Sequence, residues 1–455
     1  MTPPGATRAI LTLGWPMFVG QLAVMANGII DNVMAGHLSA ADLAAVAIGS
    51  SVYYVVFVGL MGTLSAISPV AAQHFGAGRL HAVGDAWRQG QWLALALLLP
   101  GWAALAFPGP LLALARPEPA IEAAARTYLN ALAFGLPAAL WFRAFTTLNT
   151  AVSRPRVVMA INLLGPLLKV PLNALFMHGS DAPTAIGLPA VPALGGAGCG
   201  VATACVFWLS AAIAAVLLAR DPFYRRFSLR GIGAPHRRQL GELLRLGIPI
   251  GATYLIDVSA FNVVTLLVAR LGTATVGGHA IAANLAATTY MLPLAMAGAV
   301  GVLAAQALGR GDRMQARQVV GHGLRLVGGL ALLVAAALWL ARDPIARAYT
   351  DDPQVAHIAA SLLGFVALYH VVDAVQVTYA FALRAWKVAV VPMVVFAVAL
   401  WGIGLGGGAM LAFGRSMGAA GFWIAAIAAL VAAAAALWVL FERTTRWPAA
   451  GSGPG

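Results

Sequence analysis

Long, nearly unbroken apolar runs joined by short polar stretches set the pattern of this chain. They cover about 10–35, 43–72, 91–115, 122–148, 157–177 and 193–219, then about 246–271, 279–306, 320–341, 355–383, 388–412 and 419–440. Each is long enough to cross a bilayer as a helix, which takes roughly 20 apolar residues. The runs are continuously apolar rather than alternating, so they predict helices and not barrel strands. The expected fold class is an all-α membrane protein with twelve transmembrane helices in two pseudo-symmetric six-helix lobes.

Composition adds what the pattern excludes. Of 455 residues, 61% are hydrophobic and 9% charged, with a mean hydropathy of +0.85, so no large soluble domain fits beside the spans. Lys and Arg number 28 against 15 Asp and Glu, a net charge of +13 that in a soluble protein would suggest nucleic acid. Here placement decides. If the N-terminus is cytoplasmic, the inner loops hold Arg79, Arg88, Arg154, Arg156, Arg310, Arg313, Arg317, Arg384 and Lys387. The central loop adds Arg220, Arg225, Arg226, Arg230, Arg237 and Arg238, and the tail Arg443 and Arg446. The outer loops hold few: Arg116, Arg342, Arg347 and Arg415. The surplus is therefore a topology signal placing both termini inside, and no nucleic-acid partner is expected. Cys199 and Cys205 share one apolar segment and read as packing residues. The apolar stretch ending near Gly36 is too long for a signal-peptide core and reads as a retained first span.

The halves repeat each other. Leu13-Gly14-Trp15-Pro16 returns as Leu246-Gly247-Ile248-Pro249, and Ala71-Ala72-Gln73 returns as Ala304-Ala305-Gln306, both 233 residues later. Six spans per half is an even number, so the repeat is parallel, related by an axis along the membrane normal. The expected organisation is an N-terminal lobe over 1–220, a basic cytoplasmic linker over 221–245, and a C-terminal lobe with a short tail over 246–455. Two such lobes suggest a transporter.

Charge inside the spans carries the chemistry. An ionisable side chain at mid-bilayer costs roughly 2.5 to 3.5 kcal/mol on insertion scales, so retained ones usually face the bundle interior and serve function. Asp31 lies in span one, Lys169 in span five, Asp257 in span seven and Asp373 in span ten. Tyr369 and Gln376 share a helical face with Asp373, giving a phenol, a carboxylate and an amide that can hold a hard monovalent cation. Asp257 is the natural second carboxylate. Two acids kept together out of water need a proton or a cation between them, which gives proton or sodium coupling a physical basis. The competing reading is that each aspartate merely accepts a hydrogen bond from a neighbour. In the first half, Asn27 precedes Asp31 by one turn and Asn173 follows Lys169 by one turn, giving two polar faces. An ion pair or shared proton between Asp31 and Lys169 is expected if spans one and five touch. Arg143 and Arg270 read as snorkelling or helix-end groups.

No phosphate-binding glycine loop ending in Lys-Ser or Lys-Thr is present, so the energy source is a gradient rather than ATP. No metal-ligand spacing or catalytic constellation stands out, and an enzyme is not expected. The Gly402–Gly408 run reads as close helix packing or a flexible kink.

These residues resemble the multidrug and toxic compound extrusion (MATE) transporters, in their bacterial NorM-like branch, over nearly the whole chain. The matching pieces are Ile30-Asp31-Asn32-Val33-Met34-Ala35-Gly36, Pro171-Leu172-Asn173, and Gly195-Gly196-Ala197-Gly198-Cys199-Gly200-Val201-Ala202-Thr203. In the second half they are His279 with Asn284, Met291-Leu292-Pro293, Asp373-Ala374-Val375-Gln376-Val377 and Gly418-Ala419-Ala420-Gly421-Phe422-Trp423. The resemblance implies a V-shaped pair of lobes in the bacterial inner membrane, exporting cationic amphipathic drugs and dyes in exchange for protons or sodium. It implies no cofactor beyond the coupling ion, and a monomer surrounded by membrane lipid. Asp31 resembles the N-lobe acid; Asp257, Tyr369 and Asp373 resemble the C-lobe cation site, where sodium could sit. Two positions depart from the branch: Asp257 stands where a glutamate is frequent, and Lys169 where an asparagine is. A fixed charge at Lys169 disfavours sodium nearby and tilts the reading toward protons. The rival readings are a flippase of lipid-linked precursors from the same superfamily, which would favour bases where these acids stand, and a major-facilitator transporter, whose inner-loop motif does not match Gly76 to Arg88.

Overall fold

The computed structural model describes residues 3–115, 117–181, 190–229, 231 and 233–446. Arg116 and Arg230, both used in the topology reading, lie outside them, as does the tail after Arg446. The regular elements described are helices, α1 (Pro3–Leu38), α2 (Ala40–Leu64), α3 (Ile67–Gly76), α4 (Leu80–Ala106), α5 (Gly109–Ala115), α6 (Pro119–Ala151), α7 (Pro155–His178) and α8 (Gly198–Arg220). They continue as α9 (Pro222–Arg225), α10 (Arg237–Val268), α11 (Thr273–Gly309), α12 (Arg313–Leu340), α13 (Arg342–Tyr349), α14 (Pro353–Ala385), α15 (Val390–Ala397) and α16 (Ala419–Thr445). The only extended pairing among the described residues is an isolated bridge of Ser180 with Val191. The all-α class holds.

Eleven helical stretches among the described residues are long and apolar enough to cross a membrane. The expected third span is the exception. Instead of covering 91–115, α4 starts at Leu80, ends at Ala106, and is separated from α5 by Phe107 and Pro108. Its first turns are polar because they have polar partners in the central loop. Gln89 Nε2 donates to the Ala234 carbonyl at 3.1 Å, Gln89 Oε1 accepts the His236 N–H at 2.8 Å, and Trp92 Nε1 donates to the Gly233 carbonyl at 3.2 Å. Hydropathy stops where such turns begin, although the helix does not. The same holds at α10, whose first turns lie inside the stretch expected as linker.

The chain divides into two compact units, whose boundaries differ from a simple cut at the central loop. One takes the described residues up to Phe18, Gly76–Gly78, and those from Ala252 onward; the other takes Val19–Phe75 and Arg79–Gly251. Here they are called the C-terminal and N-terminal units. Both α1 and α10 therefore change unit two residues after a repeated proline, Pro16 or Pro249. The neighbouring glycines give the local reason. A Cβ at Gly14 would lie 2.5 Å from Met296 Sδ, and one at Gly247 would lie 2.4 Å from the Thr63 carbonyl oxygen. Met296 and Thr63 are themselves 233 residues apart, so one contact is made twice, once in each unit. Hydrogen in place of a side chain permits that approach.

Within the N-terminal unit α6 is the enclosed helix, packed by α8, α2 and α4; within the C-terminal unit α11 takes that place against α14 and α12. Beyond α15, the glycine-rich stretch continues in wide π-helical turns over Val398–Gly407 and Met410–Gly414. Gly408 admits the Phe422 ring of α16, which would lie 2.6 Å from a Cβ there.

Candidate functional site

In the N-terminal unit, α1, α7 and α8 bring one acid and one base together. Lys169 Nζ lies 3.0 Å from Asp31 Oδ2, with the two side chains 1% and 8% exposed. The ammonium also donates to the Cys199 carbonyl at 3.3 Å and to Thr203 Oγ1. Thr203 in turn donates to the Cys199 carbonyl at 2.8 Å, four residues back along α8. Asn173, one turn after Lys169, donates from Nδ2 to Asp31 Oδ1 at 2.8 Å. Both carboxylate oxygens and three ammonium contacts are thus accounted for, which a buried ion pair needs in order to offset its desolvation. The expected pairing of Asp31 with Lys169 is present. Asn27 has a different engagement, donating to the Ala23 carbonyl at 3.3 Å and lying over Gly165.

The glycines opening α8 make this geometry accessible. A Cβ at Gly198 would lie 2.6 Å from the Phe176 carbonyl carbon, and one at Gly200 2.7 Å from the Tyr128 carbonyl oxygen, so α8 lies tightly on α7 and α6. Just before α8, the Gly196 N–H donates to Asp42 Oδ1 at 2.6 Å, while Ser39 Oγ donates to Asp42 Oδ2 at 2.7 Å. Asp42 therefore ties the start of α2 to the turn that leads into α8.

The C-terminal unit arranges its acids differently. Asp373 and Tyr369 share a face of α14, and Asp257 of α10 lies near enough for its charge to act on Asp373. Tyr290 of α11 completes the group, within electrostatic reach of both acids. Asp373 is 8% exposed and Asp257 half-buried. Among the described residues, neither carboxylate has a basic partner or a hydrogen-bond donor on it. Gln376 is buried one turn further along the same helix.

A row of rings holds Tyr369. The Trp423 ring of α16 meets it edge-on with centroids 5.6 Å apart; His279 lies 5.8 Å from Trp423 and stacks on Phe261 at 6.0 Å. Trp423 Nε1 and His279 Nδ1 are buried without a hydrogen-bond partner. Arg384, counted as a loop charge in the sequence, donates to the Tyr254 hydroxyl at 3.3 Å and lies over the Phe381 ring at 4.5 Å. Arg143, within α6, donates to the Ser65 hydroxyl at 3.0 Å beside the end of α2, and Arg270 is exposed in the short 3-10 turn that follows α10.

Sequence reasoning missed Thr203 and the Cys199 carbonyl as partners of Lys169. A backbone carbonyl has no residue signature, and a threonine in an apolar helix usually bonds its own i−4 carbonyl, as Thr203 also does. Trp423 was quoted only within a motif; its role follows from contact with Tyr369.

The MatE family profile matches residues 16–175 and 249–410, two stretches beginning at the repeated prolines. A probable multidrug resistance protein NorM from Aromatoleum aromaticum is 43% identical over 95% of this chain and 93% of its own length. Multidrug resistance protein PmpM from Pseudomonas aeruginosa is 35% identical over 96% of this chain and 92% of its own. The fold is that of the eukaryotic MATE transporter AtDTX14 (TM-score 0.86, 19% identity, covering 97% of this chain and 98% of that one). It is also that of the Vibrio cholerae MATE transporter VcmN in the bent form (TM-score 0.84, 20% identity, 97% and 98% covered). Matched twice by one profile, and nearly end to end by relatives of this identity, the chain belongs to the MatE family.

Proposed function

We propose that this protein is a secondary-active multidrug efflux antiporter of a bacterial inner membrane, with both termini cytoplasmic, exporting cationic amphipathic compounds in exchange for protons or sodium ions. The names of its relatives, multidrug resistance proteins, support drug export in general. The observation that carries the mechanism is a pair of carboxylates, Asp257 and Asp373, that no basic side chain among the described residues pairs with, beside the phenols of Tyr369 and Tyr290. Two such acids in an apolar bundle favour any positive species that arrives, whether proton, sodium ion or lipophilic cation. Competition for them supplies coupling, because a ligand shifts a conformational equilibrium only by its differential affinity for the two states. Asp31 takes part when the Lys169 ammonium leaves it. Tyr369 offers a ring face and an oxygen to a bound cation, and Trp423 fixes that ring's orientation. Asn173 holds the Asp31 carboxylate in place.

The test is purified protein in liposomes, with dye efflux driven separately by a proton gradient and by a sodium gradient. Efflux is expected under at least one gradient and absent from Asp373→Asn, whose chromatographic behaviour stays that of the parent. Undiminished gradient-driven ethidium or norfloxacin export by Asp373→Asn refutes the assignment. The flippase reading calls for bases around a pyrophosphate; acids stand there instead.

A further inference from the structure

We infer that Arg225 and Arg226 of the short helix α9 form, with the adjoining ends of α7 and α8, a binding site for the phosphodiester headgroup of an anionic phospholipid. The place is where two apolar helices stop. α8 ends at Arg220, α7 begins at Pro155 between Arg154 and Arg156, and the Arg154–Asp221 ion pair at 2.6 Å joins the two ends. Residues 150–160 and 216–229 hold five arginines and one acid, Asp221. That acid is already engaged, by Arg154 and by the Phe223 N–H at 2.8 Å.

The inner side of α9 is fixed and its outer side is basic. Tyr224 and Phe227 are buried, and the Tyr224 hydroxyl donates to Asn149 Oδ1 at 2.6 Å, which leaves Arg225 and Arg226 exposed. The Arg226 guanidinium lies over the Phe223 ring at 3.9 Å and the Phe227 ring at 5.0 Å, and Arg154 also lies over Phe223, at 4.3 Å. One ring thus carries two guanidiniums, with a single carboxylate to serve them. Among the described residues neither Arg225 nor Arg226 has an acidic partner. A phosphodiester supplies what they lack, a negative charge with two oxygens for a planar fork of N–H donors. What selects a lipid over a free anion lies on α8. Val216, one turn before Arg220, and Leu209, two turns further back, are exposed apolar side chains on the same helical face. A molecule with its phosphate at α9 and a chain along that face engages both; inorganic phosphate engages only the arginines.

The site does not depend on the antiport reading, and its test measures binding on the full chain purified in detergent. Phosphatidylglycerol is expected to raise the melting temperature saturably by about 3 °C or more over an equal amount of phosphatidylcholine, through ligand linkage. Inorganic phosphate at the same concentration is expected to leave it unchanged. In Arg225→Gln/Arg226→Gln the apparent affinity for phosphatidylglycerol is expected to fall about tenfold or more, since each arginine near a lipid surface adds to binding. Arg226→Lys keeps the charge but not the fork, and is expected to lose about threefold or more. Arg237→Gln/Arg238→Gln removes as much charge from the exposed start of α10 and is expected to bind as the parent does. Equal stabilisation by phosphatidylcholine or by inorganic phosphate overturns the proposal. So does parental affinity in Arg226→Lys, or an equal loss in Arg237→Gln/Arg238→Gln, because either would reduce the effect to net charge.

Discussion

Asp31 and Asp373 are almost equally withdrawn from water, at 6% and 8% exposure, yet the structure treats them differently. Asp31 has an ammonium at 3.0 Å and an amide at 2.8 Å. Asp373 has neither among the described residues, and the charge that acts on it is that of another acid, Asp257. The contrast separates two properties that burial alone conflates. A buried carboxylate matched by a tethered cation is a structural commitment: removing either partner strands the other. One that is unmatched is open to exchange, since any incoming positive species improves its state. The two units have the same repeat and much the same packing, so the difference lies in a few side chains. Lys169 supplies a charge in one unit; Asp257 supplies the opposite charge in the other.

Substitutions can break or sharpen this contrast. The largest effect is expected on transport: Asp373→Asn brings gradient-driven efflux to background while leaving the melting temperature nearly unchanged, because no partner is stranded. Next is stability in the N-terminal unit. In sodium-free choline buffer, Lys169→Met should cost roughly 3–5 kcal/mol, and Asp31→Asn added to it should recover most of that, the signature of a buried pair in a double-mutant cycle read by thermal melting. The repeated contact gives a smaller and asymmetric effect. Gly247→Ala forces a Cβ against the Thr63 backbone and should cost about 1–3 kcal/mol; Gly14→Ala meets the flexible end of Met296 and should cost less. Chemical denaturation of the two variants side by side checks the order.

The smallest effect belongs to an ion pair in reach of water. Arg154 Nη1 lies 2.6 Å from Asp221 Oδ2, with side chains 30% and 25% exposed. Partial burial opposes ionisation of Asp221. The Phe223 N–H and the Arg154 guanidinium outweigh it and hold the carboxyl below its ordinary value near 3.8. A depressed folded-state value stabilises the protein above about pH 4 and loses that contribution as pH falls through it. Asp221→Asn should therefore remove about 1 kcal/mol or less near neutral pH, with the difference from the parent shrinking in acid. A pH series of melting curves reads both.

Legibility in the sequence followed the range of each interaction. Spans were readable because apolarity is contiguous, and the polar residues one turn apart on spans one and five were enough to suggest the Asp31–Lys169 pair. The start of α4 was not readable, since Gln89 and Trp92 are satisfied by a loop some 140 residues away. The oxygen partners of Lys169 were hidden for the reason already visible at Cys199: a main-chain atom is the same in every residue. The internal repeat announced a duplication but not that α1 and α10 each pass from one compact unit to the other. That depends on Gly14 and Gly247 meeting residues far along the chain.

This crossing of α1 and α10 bears on biosynthesis. The N-terminal unit stays incomplete until translation has reached Gly251, and the opening segment up to Phe18 has no home until the residues after Ala252 have been inserted. A polypeptide truncated at the central loop would therefore leave its opening segment without the residues it packs with, and the N-terminal unit without its share of α10.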